Sequence, residues 1–265
     1  MTEKIKAGPF EVLCLTGARC LEDKTVVFVG TGLPMLASLF AQRTWAPNLS
    51  LIFEGGSLGP ILWMGLPLSV GDIRAGTRAC MVKGLCAVFE GQQRGWSDYA
   101  FIGGAEIDTY GNINSTCFGE YEKPKVRFPG SGGAGAMAAN SDRIIAIMAL
   151  EKRRFREKVY YITSLGFGDG SPDYRWKAGV HGRGPYRVVT DVALFGFDVG
   201  NTNKMVLLEY HPDLSVEQIQ ERCELQLTIS PDVKPMLLPT QEQLKLMVTE
   251  VDPERYFLGK TVENG

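Results

Sequence analysis

The sequence predicts one α/β domain built on an open, mostly parallel sheet flanked by helices. Three observations point there. Residues 25–53 read strand, glycine, helix, strand. The same strand-then-glycine pattern returns further along the chain. And 265 residues, 45% of them hydrophobic, bury one sizeable core with no linker, repeat or low-complexity segment to divide it.

Taken in order, residues 7–22 have helical spacing and end at the turn signal Glu22-Asp23-Lys24. Thr25 to Val29 is a short β-branched run, read as a buried strand. Gly30-Thr31-Gly32 follows, and Pro34 suits the first turn of a helix reaching Thr44, stopped by Ala46-Pro47-Asn48. Leu49 to Phe53 is the next strand, so this βαβ unit predicts parallel strands with a right-handed crossover. Further strands are expected at 99–102, 143–148, 159–163, 186–190 and 205–210, with a tight turn over 108–114. Helices are expected at 215–223 and 241–248, with Ser215 and Thr240 as N-caps. The tail from residue 252 reads as loosely held.

Composition excludes several functions. With 28 Lys and Arg against 30 Asp and Glu, the net charge of −2 leaves no electrostatic footprint for nucleic acid or an anionic membrane. The one basic cluster, 151–158, has acidic ends and reads as a solvated face. No run is apolar enough to span a bilayer, and the first ten residues lack the pattern of a signal peptide. Six scattered cysteines without a CxxC pair, and only two histidines, predict reduced thiols in a cytoplasmic protein and no zinc site.

Glu54 falls at the carboxyl end of the second strand, where open α/β sheets place their ligands, and Gly55-Gly56 follows it. It is either a chemical group or a turn residue. Gly30-Thr31-Gly32 lacks the third glycine of a dinucleotide fingerprint, since position 35 is Met35, yet a helix start there favours an anion. Gly130-Ser131-Gly132-Gly133-Ala134-Gly135 is the densest glycine segment. It is either a flexible loop or a nest of N–H groups for an oxyanion. His181 and His211 have no Gly-x-Ser-x-Gly elbow, which argues against a Ser-His-Asp triad.

These residues resemble a known family. Val29-Gly30-Thr31-Gly32-Leu33-Pro34, Trp45-Ala46-Pro47 and Phe53-Glu54-Gly55-Gly56 are similar to the β subunit of glutaconate CoA-transferase. So are Ser69-Val70-Gly71-Asp72, the stretch Phe101 to Asp108, Tyr110 to Thr116, Arg127 to Ala134 and Glu151 to Phe155. The resemblance runs in order along nearly the whole chain. It implies a class I CoA-transferase fold and places the family's catalytic glutamate on Glu54. It also places the oxyanion motif on Gly130, Ser131, Gly132, Gly133 and Ala134, with Gly30 and Gly32 beside CoA. Gly55, Gly56 and Glu106 become substrate-contact candidates, Glu106 standing where the glutaconate enzyme would have glutamine.

The resemblance further implies ping-pong exchange through a Glu54–CoA thioester. Acyl-CoA is then a substrate, with no metal or other permanently bound cofactor. The chain would need an α-type partner subunit, in a heterodimer or a dimer of heterodimers. The alternative on the same fold is an acyl-CoA hydrolase or ring-cleaving enzyme using Glu54 as base or nucleophile. A regulatory, non-catalytic subunit is a third reading. The apolar run 57–66 is read as part of the partner's surface, and as a hint of a bulkier, more hydrophobic acid.

Overall fold

The computed structural model describes residues 7–63 and 65–258. Helix α1 (Pro9–Ala18) opens with a proline, whose missing N–H is no loss in a first turn. Strand β1 (Val26–Val29), helix α2 (Leu33–Arg43) and strand β2 (Ser50–Phe53) form the expected parallel unit, with Val26 opposite Ser50 and Val29 opposite Phe53. Two short strands, β3 (Ser57–Leu58) and β4 (Met81–Val82), fold back antiparallel beside β2. Helix α3 (Leu85–Gln93) leads into β5 (Tyr99–Ile102).

A side layer follows. It holds β6 (Glu106–Asp108), β7 (Ile113–Asn114), the ribbon β8 (Cys117–Phe118) and β9 (Val126–Arg127), then helix α4 (Ala134–Asn140). The chain returns to the main sheet through β10 (Arg143–Ile147), and β11 (Phe155–Arg156) joins β6. The remainder is α5 (Tyr174–Lys177), β12 (Gly184–Val189), β13 (Ala193–Phe197), β14 (Met205–Tyr210), α6 (Val216–Glu221), β15 (Thr228–Pro235) and α7 (Gln241–Leu246).

Among the described residues the main sheet has ten strands, in the order β15-β14-β13-β12-β10-β5-β1-β2-β3-β4. Its centre, β12 through β2, is parallel; β3, β4, β13 and β14 add antiparallel edges. Alternation along each strand divides the core. Val27, Val29, Leu51, Phe53, Phe101 and Ile145 pack towards α1 and α2; Phe28, Ile52, Ala100, Ile102 and Ile144 pack with Val88, Met137 and Ile219. Both faces being covered explains the continuous apolar runs that marked these strands. Among the described residues, no helix is long and apolar enough to cross a membrane.

Several expectations change. Residues 159–163 form no strand. The segment meets β7 at its end, where Thr163 N–H donates to the Ile113 carbonyl, while Tyr160, Tyr161 and Ile162 turn to the surface, where the tyrosines meet Phe118 and Tyr121. The tail is held as far as residue 258: Asp252 is buried and accepts from the N–H groups of Tyr256, Phe257 and Leu258, and Leu258 enters the core. The expectation for the remaining tail lies outside the described residues.

Two buried side chains tie the loops. Asn112 Nδ2 donates to Asp108 and to the Gly168 carbonyl, while its Oδ1 accepts from Gly166 and Gly168 N–H. Burial raises the Asp108 carboxyl above its ordinary range, opposed by these donors. Arg175 donates to the carbonyls of Leu165, Gly166, Ala138 and His181. Among the described residues no carboxylate pairs with it, and burial lowers its guanidinium to about 10.

Candidate active site

Glu54 stands one residue beyond β2, at the carboxyl end of the parallel strands, next to Gly30 at the end of β1. It continues the parity of Ile52 and so emerges on the α3 and α4 side. A Cβ placed on Gly133 would lie 2.7 Å from Glu54 Oε1 and 2.5 Å from Phe89 Cζ. The carboxylate therefore rests on bare glycine backbone, with Phe89 beside it and Phe28 beneath Phe89 at a ring distance of 5.3 Å. Glu54 is half-buried and makes no hydrogen bond or ion pair with any described residue.

The turn after Glu54 depends on its two glycines. Gly56 N–H donates to the Phe53 carbonyl at 3.0 Å, and Gly56 has φ +115°, a conformation costly for any side chain. A Cβ there would fall 1.5 Å from the Lys83 carbonyl oxygen, and one on Gly55 2.1 Å from that of Val70. Two neighbouring segments thus press directly onto the turn. The 70s segment is itself fixed: Asp72 accepts from Leu68 N, Arg74 N and Arg74 Nη2, and these donors hold its carboxyl well below the usual range. Gly55 and Gly56 accordingly hold the turn by close packing; Gly55 alone of the two stays exposed.

The glycine nest is narrower than expected. Gly130 N–H donates to the Ser115 carbonyl and Ala134 N–H to that of Ser131. The N–H groups of Ser131, Gly132 and Gly133 donate to no described residue. Gly130 (φ +98°) and Gly132 (φ +48°) face open space. The loop brings unpaired donors to the flank of Glu54, an arrangement suited to an oxyanion. Gly32, φ +84°, begins α2 with its Cβ direction towards Phe257, and Gly30 is open.

Glu106 does not join this cluster. It is 0% exposed, accepting from Asn114 Nδ2 at 2.5 Å, Arg156 Nη1 at 3.3 Å and Tyr160 N at 3.3 Å. It ties β6 to β7 and β11, and its role as a substrate contact is withdrawn. The apolar run after Glu54 likewise does not line the site. Leu62 and Leu66 enter the core, while Ile61 and Trp63 face outward, so the basis for a bulky hydrophobic acid is lost.

Sequence reasoning missed Phe89, because α3 was not foreseen, and it missed a cavity of about 440 Å³ at the nest, lined by Gly103, Phe118, Phe128, Gly130 and Arg154 among others. Gly103-Gly104 and the Arg153-Arg154 pair were its visible signals. A larger cavity, about 710 Å³, lies at the opposite, amino-terminal end of β10 and β12, around Arg143, Trp176 and Tyr186. His211 Nδ1 accepts from Asp213 N, and among the described residues neither histidine hydrogen-bonds a serine. Among the described residues, no group of His, Cys, Asp or Glu is placed to hold a metal ion.

Comparison with known proteins completes the picture. The pattern of the family described as Coenzyme A transferase matches residues 16–222. The B subunit of glutaconate CoA-transferase from Acidaminococcus fermentans is 40% identical over 261 residues, covering 96% of each chain. The B subunit of 3-oxoadipate CoA-transferase from Pseudomonas knackmussii is 35% identical over 238 residues, 89% of this chain and 90% of that one. The crystal structure of glutaconate coenzyme A-transferase from Acidaminococcus fermentans superposes with a TM-score of 0.90 at 34% identity, covering 98% of this chain and 100% of that chain.

Proposed function

Because the chain belongs to the coenzyme A transferase family, as a class I β-type subunit, we propose that with an α-type partner it exchanges CoA between an acyl-CoA and a free carboxylic acid through a covalent Glu54–CoA thioester. The observation that carries this reading is the unpaired Glu54 carboxylate against Gly133, in a loop whose Ser131, Gly132 and Gly133 N–H groups donate to no described residue.

Each step assigns work to a named group. Glu54 attacks the thioester carbonyl, and the N–H groups of the nest receive the oxyanion; one such donor is typically worth about a hundred- to a thousandfold in rate. Collapse expels CoA thiolate and leaves a mixed anhydride on Glu54. The thiolate then attacks the Glu54 carbonyl, releasing the acid and leaving the Glu54–CoA thioester. A second acid runs the path in reverse, and no electrons change hands. Covalent catalysis here divides one difficult exchange into easier ones. Among the described residues Glu54 has no partner to surrender before attack.

The relatives named for glutaconate and 3-oxoadipate act on acids carrying two carboxylates, and we extend that class, short dicarboxylic acids, to this chain. A lone β-type chain is half of the enzyme in this reading. Its exposed Ile73 and Val82, beside the Val70 and Lys83 carbonyls that press against the Glu54 turn, and the exposed Ile61 and Trp63 are the surface for the α-type partner.

The kinetic test uses the assembled complex. The parent gives parallel double-reciprocal lines with acyl-CoA and acceptor acid, and Glu54→Gln loses at least about a thousandfold in exchange. Exchange surviving in Glu54→Gln, or CoA released at full rate without an acceptor, would favour the hydrolase reading instead.

A further inference from the structure

The cavity of about 440 Å³ at the nest has an unbalanced charge. Its rim is Gly130, its base is Gly103 and Gly104 at the carboxyl end of β5, and Phe118 and Phe128 form an aromatic wall, edge to face at 4.7 Å. Arg153 and Arg154 also line it, and no acidic residue does among the described residues. The nearest acid to both is Glu151: Arg153 Nε donates to its Oε2 at 2.5 Å, and Arg154 Nε lies 3.3 Å from its Oε1. One carboxylate shared by two guanidiniums leaves one positive charge over.

Arg154 is the better placed of the two. Its Nη1 donates to the Gly104 carbonyl at 3.3 Å, and its own carbonyl accepts from Ile107 N at 2.8 Å. Its guanidinium is thus anchored at the cavity base while Nη2 donates to no described residue. Arg153 is far more exposed, 70% against 28% for the side chain. A fixed, partly buried guanidinium whose Nη2 is left without a partner is suited to a carboxylate.

Reach identifies which anion. Gly133 touches Glu54 and Gly130 is on the cavity rim, and three residues of chain span at most about 10 Å. The tail of an acyl group whose carbonyl is held at residues 131–133 is therefore within reach of this cavity. The remote carboxylate of a short diacid ends within that distance, whereas the phosphates of CoA sit at the far end of the pantetheine arm.

We infer that this cavity is the acyl-tail subsite and that Arg154 binds the remote carboxylate of a short dicarboxylic acyl group, making Arg154 a specificity-determining residue. The inference rests on the CoA-transfer reading above.

The test compares glutaryl-CoA with valeryl-CoA, a chain of equal length without the second carboxylate, on the complex with the α-type partner. The parent prefers glutaryl-CoA, and Arg154→Gln lowers the ratio of the two kcat/KM values by about 10- to 100-fold. Arg154→Lys, which keeps the charge but loses the fork, recovers part of the ratio. A parent that prefers valeryl-CoA, or an Arg154→Gln complex that loses both substrates equally, overturns the assignment. Glutaryl-pantetheine separates the sources of anion: the penalty persists there when Arg154 holds the acyl carboxylate, and its disappearance would assign the guanidinium to a CoA phosphate. Trapping the Glu54 adduct in the same samples keeps the two proposals apart. An adduct with an unchanged ratio retains the covalent route and removes the subsite; a changed ratio without an adduct does the reverse.

Discussion

Gly133 and Gly56 show how closely backbone is pressed around Glu54, and why glycine occupies both positions. At Gly133 the conformation is helical (φ −80°), so backbone freedom is not the reason for glycine; the space belongs to Glu54 Oε1 and Phe89. Gly133→Ala must push one of them aside. We expect a stability loss of about 1–3 kcal/mol in thermal melts and, in the complex, exchange reduced by at least about a hundredfold, since a small misplacement of reacting groups is that costly. An alanine variant with parent kinetics would mean that Glu54 acts from another position. Glu54 itself was legible as a carboxylate closing an apolar strand before two glycines. Glu106 was misread because nothing in the chain signals that Asn114, Arg156 and Tyr160 converge on it.

Among the elements, the βαβ unit at 26–53 and the capped helices α6 and α7 were legible, because local chemistry decides them. Ser215 and Thr240 each accept from the N–H three residues on, and Gln218 and Gln243 return the bond. Strands β13 and β15 and helix α3 were not foreseen. β13 is a buried apolar run whose Gly196 interrupts the strand pattern, and β15 is largely exposed along its length and so lacks the apolar signal of a central strand. Of the edge β3–β4, β3 was foreseen only as the start of the apolar run 57–66, and β4 not at all. Its exposed side chains include Val82 at 65%, with Ile73 nearby at 90%, and Cys80 lies between them in sequence. This gives a readout for the partner's position. In the isolated chain, Cys80 and Cys86 react with a maleimide near neutral pH, while Cys20 and Cys223, each pushed up to about 12 by burial, stay unmodified. In the complex with the α-type partner, Cys80 becomes protected. Equal labelling of Cys80 with and without the partner, followed by mass spectrometry of the peptides, would move the interface elsewhere.

At the scale of the whole molecule, the sheet explains where the chemistry collects. Its parallel centre brings Gly30, Glu54 and Gly103 to one end of adjacent strands, and α4 turns the nest onto that end. The opposite end holds a larger cavity but no glycine nest and no unpaired carboxylate among its lining residues. The family and its fold were legible from motifs that recur in order along the chain. The cavity at Arg154 was not, because its walls come from stretches around 103, 118, 128 and 154 that only the folded chain assembles.

The central claim, a covalent Glu54–CoA thioester in the assembled enzyme, is tested most directly by trapping. The complex with its α-type partner is incubated with glutaryl-CoA, reduced with borohydride and mapped by peptide mass. The account predicts that the Glu54 side chain is reduced to the alcohol in the complex, that the isolated chain shows no change, and that an acceptor acid added before borohydride diminishes the signal. An unmodified Glu54 in a complex that turns over would contradict it.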